Sequence, residues 1–203
     1  MKLKSLIVAI FATMLCANSW AWDLSNLKNL NGLSGVVNSL VSSDKVNISD
    51  LKGTWKSTGP AFVFKSENLL QKAGGTAAQA TIESKLQKYY QKAHLEDFTM
   101  EFDGEGNFTM TLKNGKTITG TVTKGTTDGT MVFNFGKLNK SKLSQLTAYV
   151  QKGTQLSITF DISKLNTLLS SISKISGNST ISTVSSLLNS YKGMYAGFKF
   201  EKK

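Results

Sequence analysis

The sequence of 203 residues contains no arginine, and histidine, cysteine and proline each occur once. Arginine is the side chain best suited to bidentate contacts with phosphate and guanine, so its absence argues against nucleic-acid binding. All 24 cationic residues are therefore lysines, and against 13 acidic residues they give a formal net charge of +11. This excess predicts a solvated lysine surface that could attract an anionic envelope surface.

Because histidine and cysteine are scarce, the sequence has few side chains that could act as nucleophiles, general bases or metal ligands. Cys16 lies in a segment that we expect to be cleaved off, and His94, near the end of a predicted helix, is expected to act as a helix cap. Asp103, Glu105 and Asn107 alternate as calcium ligands do, but their glycine-containing loop is typical of a hairpin. We therefore predict no enzymatic activity, no catalytic residues, no cofactor and no metal, with an envelope hydrolase that uses paired carboxylates as the alternative.

Residues 1–21 have the features of a secretory signal peptide. Lys2 and Lys4 precede an apolar run that is shorter than the ~20 residues of a membrane-spanning helix, and small residues surround a cleavage point near Ala21. The sequence thus predicts export to the periplasm, the cell envelope or the medium. Acylation of Cys16 after cleavage is the alternative, although bulky Leu15 precedes it.

Residues 22–50 predict an amphipathic helix and a linker. Apolar residues recur every three or four positions over residues 24–41, among Asn, Ser and Gly residues that lower the helix propensity. Residues 42–50 are polar and typical of a linker. The segment could tether the domain or dock on a partner.

Residues 51–203 predict a mainly β domain because short segments alternate apolar and polar residues. Phe98, Met100 and Phe102 share one face of a strand, and Thr99 and Glu101 share the other. The alternation recurs up to residue 160 and again near the C-terminus. Short turns, such as the Asn-Gly pair at residues 114–115, predict an antiparallel meander.

Two pairs of helices interrupt the predicted meander. One pair, over residues 66–73 and 76–93, follows the first strand; the other begins with Ser163 as N-cap, breaks at residues 177–178 and precedes the last strand. Pro60 should end or kink the first strand. The count reaches about eight antiparallel strands, which close into a barrel just wide enough for side chains or one small ligand.

The start of this domain carries a resemblance to a known family. Gly53, Thr54 and Trp55 resemble the glycine-x-tryptophan signature on the first strand of lipocalin-type (calycin) barrels. Residues 53–75, with residues 146–150, 160–165 and 195–198, resemble exported bacterial lipocalin-like proteins of unknown function. The resemblance covers residues 53–203 and implies a lipocalin-like barrel, but no ligand and no catalytic residues. The helical insertions depart from ordinary lipocalins and could cover the open end.

Inward-facing aromatic and methionine side chains are the candidate ligand contacts. In a lipocalin-like barrel they would bind an apolar or amphipathic small molecule. The alternative is a barrel filled by its own side chains, with Trp55 sealing one end. The protein would then be a non-enzymatic structural or interaction module of the cell envelope, in contact through residues 24–41 or its lysines. The candidates are Trp55, Phe98, Met100, Phe102, Phe108, Met110, Met131, Phe133, Phe160, Phe198 and Phe200.

Overall fold

The computed structural model describes residues 46–66, 68, 75–136, 145–191 and 193–203. Its secondary structure consists of a 3-10 turn, eight strands and three helices in these ranges. In chain order the elements are the 3-10 turn Ile48–Leu51, β1 Gly53–Phe64, α1 Gly75–Lys92, β2 Thr99–Phe102, β3 Asn107–Thr111, β4 Thr117–Lys124, β5 Thr130–Phe135, β6 Leu146–Lys152, β7 Leu156–Asp161, α2 Ile162–Ser176, α3 Ile181–Asn189 and β8 Met194–Lys202.

The eight strands form one closed barrel in sequence order, with every neighbouring pair antiparallel. Met100 of β2 lies opposite Trp55 of β1 on one side and opposite Met110 of β3 on the other. β8 closes the ring by pairing with β1, where Tyr195 lies opposite Val63. The predicted mainly β, eight-stranded lipocalin-like barrel with helical insertions is confirmed.

Alternation along the strands determines which side chains fill the barrel interior, which we call the lumen. In β3, Phe108 and Met110 are buried, whereas Asn107 is exposed and Thr109 is half-buried. Burying the apolar face of each strand stabilises the barrel by roughly 25 cal/mol per Å² of apolar surface removed from water. The period-2 pattern therefore determines both the strand faces and the composition of the core.

β1 continues through Pro60 instead of ending there. Proline cannot donate to a ladder, so it is tolerated at a bulge or where a strand lacks a neighbour on one side. β1 pairs with β2 only as far as Lys56 but with β8 as far as Phe64, and the register shifts between Ser57 and Gly59. The expected interruption is a bulge within one continuous strand.

α1 lies against the part of β1 that β2 leaves unpaired. The Gln87 side-chain amide donates to the Thr58 carbonyl at 3.3 Å, and the Tyr90 hydroxyl donates to the Gly197 carbonyl at 2.9 Å. Tyr90 is fully buried. α1 thus packs on the second half of β1 and reaches β8 through Tyr90.

α2 is capped by Asp161, not by Ser163 as the sequence suggested. The Asp161 carboxylate accepts a hydrogen bond from the Ser163 backbone N–H at 3.0 Å. Aspartate is among the favoured N-cap residues, and here the cap is also the last residue of β7. α2 ends at Gly177, which has a left-handed φ of 74°. α2 and α3 each bury one apolar face. The buried residues are Leu165, Leu168, Leu169 and Ile172 in α2 and Ile181, Val184 and Leu188 in α3.

The two ends of the barrel differ in construction. At the terminal end, where β1 begins and β8 finishes, the indole N–H of Trp55 donates to the Leu51 carbonyl at 2.7 Å, and both side chains are buried. The opposite, helical end carries the connections that contain α1, α2 and α3. The insertions predicted from the sequence therefore gather at one end.

Several predictions fall outside the described residues. These are the signal peptide with its cleavage point, acylation of Cys16, the amphipathic helix over residues 24–41 and most of the short helix over residues 66–73. They stay predictions. None of the helices within the described ranges is both long and apolar enough to cross a membrane.

Candidate functional site

The lumen brings together the eleven candidate side chains, all with 3% or less of their surface exposed. Their rings contact one another closely: the centroid of Phe133 lies 5.8 Å from that of Phe108 and 6.0 Å from that of Phe160, both edge-on. Phe98 meets Phe198 edge-on at 5.0 Å. Such aromatic contacts rigidify a core as well as filling it.

The space left inside the lumen is small. A void of about 10 Å³ lies among Met100, Met110, Phe133 and their neighbours. A space of that size holds one water molecule at most. The lumen as described is therefore filled by side chains, and contact of the eleven residues with a ligand stays a prediction.

A much larger space lies at the helical end of the barrel, which we call the mouth cleft. Its volume is about 530 Å³, within the range of small-molecule sites. Its apolar floor consists of Ala93, Leu95, Phe98, Leu112, Ile172 and Ile181, and its polar rim consists of His94, Lys113, Asn114, Ser176, Gly177 and Asn178. Phe98 belongs to both the cleft floor and the lumen.

Three separate parts of the chain form the cleft. The residues that follow α1 form one wall, the turn between β3 and β4 forms the second, and the junction of α2 and α3 forms the third. Hydrogen bonds join the walls: the Asn114 amide donates to the Ser176 carbonyl at 3.2 Å, and the Asn178 amide donates to the Ala93 carbonyl at 2.8 Å. The walls are therefore held at a fixed separation.

His94 occupies a strained backbone position at the rim. Its φ of 54° is left-handed, where glycine is usual. The Leu95 N–H donates to the Tyr90 carbonyl and the His94 N–H donates to the Gln91 carbonyl, which is the Schellman pattern of a helix C-terminus. His94 thus terminates α1 through its backbone, whereas an interaction of its ring with the helix dipole stays a prediction.

The His94 ring forms a polar cluster with Asp97 and Lys113. Its Nδ1 lies 3.0 Å from Asp97 Oδ2 and 2.9 Å from Lys113 Nζ, and Lys113 Nζ lies 3.3 Å from Asp97 Oδ2. Nδ1 either donates to Asp97 or accepts from Lys113, since one nitrogen cannot do both. Partial burial tends to raise the pKa of Asp97, but the bonds from His94 and Lys113 outweigh it and hold that pKa below its usual range.

The sequence did not indicate the mouth cleft. Leu112 follows β3, and Ile172 and Ile181 are ordinary apolar positions of α2 and α3, so nothing in the local sequence marks them as parts of a site. The turns at residues 114–115 and 177–178 were both predicted from their Asn and Gly residues. The hydrogen bond from Asn114 to Ser176 brings these two turns together although the residues are 62 positions apart. No local feature of the sequence indicates this tertiary contact.

The cleft contains no set of groups for metal chemistry within the described residues, where no three His, Cys, Asp or Glu side chains cluster. No curated protein matches the chain. The family model described as "Lipocalin-like domain (DUF4923)" matches residues 24–202. The chain therefore belongs to this lipocalin-like domain family.

Proposed function

We propose that the protein is a non-enzymatic binding protein that holds an apolar or amphipathic small molecule in the mouth cleft. The observation that carries this proposal is the contrast between an apolar-floored cleft of about 530 Å³ and a void of about 10 Å³ in the lumen. Ligand sites are typically concave and apolar with a few polar groups, as this cleft is. The leader-like residues 1–21 support binding outside the cytoplasm.

A blocking substitution tests the proposal. Ser176 lines the cleft, whereas Ser170 is an exposed residue of the same helix. Ser176→Trp should fill the cleft with an indole, and Ser170→Trp serves as the matched control. Titration with the neutral fluorescent probe N-phenyl-1-naphthylamine should give saturable binding to wild type and S170W, and at least tenfold weaker binding to S176W.

Two results would contradict the proposal. The cleft would not be the site if S176W bound the probe as tightly as S170W. A folded wild-type protein that binds neither this probe nor any co-purifying apolar molecule, as seen by native mass spectrometry, would leave no binding function to explain.

The filled lumen favours a second candidate, a structural or interaction module of the cell envelope. The closely spaced aromatic rings around Phe133 are what a stable scaffold requires. In this case the contact would lie on residues 24–41 or on the lysine surface. Deletion of residues 24–41 should then abolish association with envelope fractions, while S176W should leave that association unchanged.

A further inference from the structure

The mouth cleft has an apolar floor but an unequal distribution of charge at its rim. Among the described residues that line it, Lys113 and His94 carry basic groups and none is acidic. We infer that the cleft selects an amphiphile with a single negatively charged head, which Lys113 binds at the rim while the apolar part lies against Phe98 and Leu112. This inference rests on the proposed function.

Lys113 is placed to meet a ligand head. Its side chain is 54% exposed, and its neighbour Leu112 lies in the cleft floor with 6% exposed. An ammonium has three donors, and the contacts to His94 and Asp97 use at most two of them. A third donor therefore remains for a carboxylate or phosphate oxygen at the edge of an apolar surface.

The other polar groups of the rim are already engaged with the protein. The amides of Asn114 and Asn178 donate to backbone carbonyls, so they serve to hold the cleft walls. The C-terminus of α2, which would attract a cation, is covered: the Lys116 ammonium donates to the Ile175 carbonyl at 2.8 Å. A cationic head would thus find the carbonyls occupied and Lys113 repelling it.

Asp97 competes with the ligand for Lys113. Its carboxylate lies outside the cleft lining but 3.3 Å from the Lys113 ammonium. Substitution of Asp97 by the isosteric but neutral Asn should leave Lys113 with more of its charge for the ligand. The inference therefore predicts a gain of affinity in one variant and a loss in another, which a merely structural role of Lys113 would not produce.

The experiment compares three probes that share one apolar chain: dodecanoate, dodecanol and dodecyltrimethylammonium, each below its micellar concentration. Their affinities are measured by displacement of N-phenyl-1-naphthylamine from the full chain. Wild type should bind dodecanoate roughly tenfold more tightly than dodecanol, as expected for one charge-assisted hydrogen bond at a partly exposed site. The trimethylammonium probe should bind most weakly.

Three variants locate the effect. Lys113→Gln should weaken dodecanoate binding roughly tenfold and leave dodecanol binding unchanged. Lys164→Gln removes one charge from the exposed first turn of α2 and controls for net charge, so it should change neither. Asp97→Asn should strengthen dodecanoate binding about threefold or more at low ionic strength, without an effect on dodecanol.

The outcomes separate the two proposals. Equal affinity for all three probes in wild type, with binding lost in S176W, would overturn the head selectivity but preserve the cleft as a binding site. An equal loss of dodecanoate binding in K113Q and K164Q would also overturn it, because net charge would explain the preference. The proposed function itself would be overturned if none of the three probes displaced N-phenyl-1-naphthylamine from wild type and none bound to the protein directly.

Discussion

The lumen and the mouth cleft meet at Phe98 but have opposite properties. Inside the lumen, large rings at edge-on distances leave a void of about 10 Å³, whereas beyond the ends of the strands the helices leave about 530 Å³ between them. A closed eight-stranded barrel is narrow enough for phenylalanine and methionine to fill it. The difference teaches that open space in this fold depends on how the insertions meet, and not on the barrel itself.

The largest effect is expected from emptying part of the lumen. Phe133 is fully buried and contacts the rings of Phe102, Phe108 and Phe160. Phe133→Ala should lower the free energy of unfolding by about 3–5 kcal/mol, measured by urea denaturation, because a cavity remains. Leu112→Ala, in the floor of the open cleft, should lower the free energy of unfolding by less. An equal loss of unfolding free energy in the two variants would contradict the contrast between a packed lumen and an open cleft.

Overpacking the barrel wall should have the next largest effect. A Cβ added at Gly197 would lie 1.9 Å from the Ile158 carbonyl oxygen, so β7 and β8 would have to separate. Gly197→Ala should cost about 1–3 kcal/mol or more in the same measurement. Gly153→Ala is the matched control, since its Cβ would meet nothing within 4 Å. Equal stability of both variants would show that the wall yields, and the lumen would not be rigid.

A smaller effect, with the opposite sign, is expected at the rim of the cleft. Since His94 has a φ of 54°, His94→Gly should relieve backbone strain and raise the free energy of unfolding by about 0.5–1 kcal/mol. His94→Ala loses the contacts of the ring and keeps the strain, so it should be destabilising. Thermal melts of both variants provide the measurement. A destabilised H94G would mean that the bonds from the ring outweigh the strain.

The smallest expected effect is a pH dependence of stability that arises beside the mouth cleft and not in the lumen. Asp97 has a lowered pKa in the folded state, so its contribution to stability is present above the ordinary carboxyl pKa of about 3.9 and is lost as the pH falls through the lowered value. Wild type should therefore melt slightly higher than D97N at pH 7, and the difference should vanish in acid. The lumen should not respond, because the eleven tryptophan, phenylalanine and methionine side chains named in it carry no titratable group.

The barrel could be predicted from the sequence because its signals are local. The alternation of apolar and polar residues around Phe98 and Met100 indicates a strand independently of the rest of the chain, and Asn114-Gly115 indicates a turn. The cap of α2 was placed at Ser163 because nothing local shows that β7 ends at Asp161, two residues earlier. The count of about eight strands predicted the closure of the ring, and the family resemblance agreed with that closure but added no site.

The mouth cleft could not be predicted because its volume depends on distances between elements. Leu112 and Ile181 are 69 positions apart, and no local pattern determines the distance between α3 and the β3–β4 turn on which the space between them depends. Likewise, the filling of the lumen depends on rotamers and ring angles that a binary pattern of apolar residues does not specify. Sequence patterns determined which residues face inward, while packing determined how much space they leave.

Both ends of the described barrel chain lie at the terminal end, since the Lys203 N–H donates to the Thr54 carbonyl at 2.9 Å beside the first residues of β1. The four residues of β2 run from a position next to Phe98 of the cleft floor to a position opposite Gly53 and span about 13 Å, so the mouth cleft opens at the other end of the barrel wall from this point. Coupling of the protein to a sensor chip through its exposed C-terminal residues would therefore display the mouth cleft to the solution. The fold thus has a geometry for immobilisation that leaves the mouth cleft unobstructed.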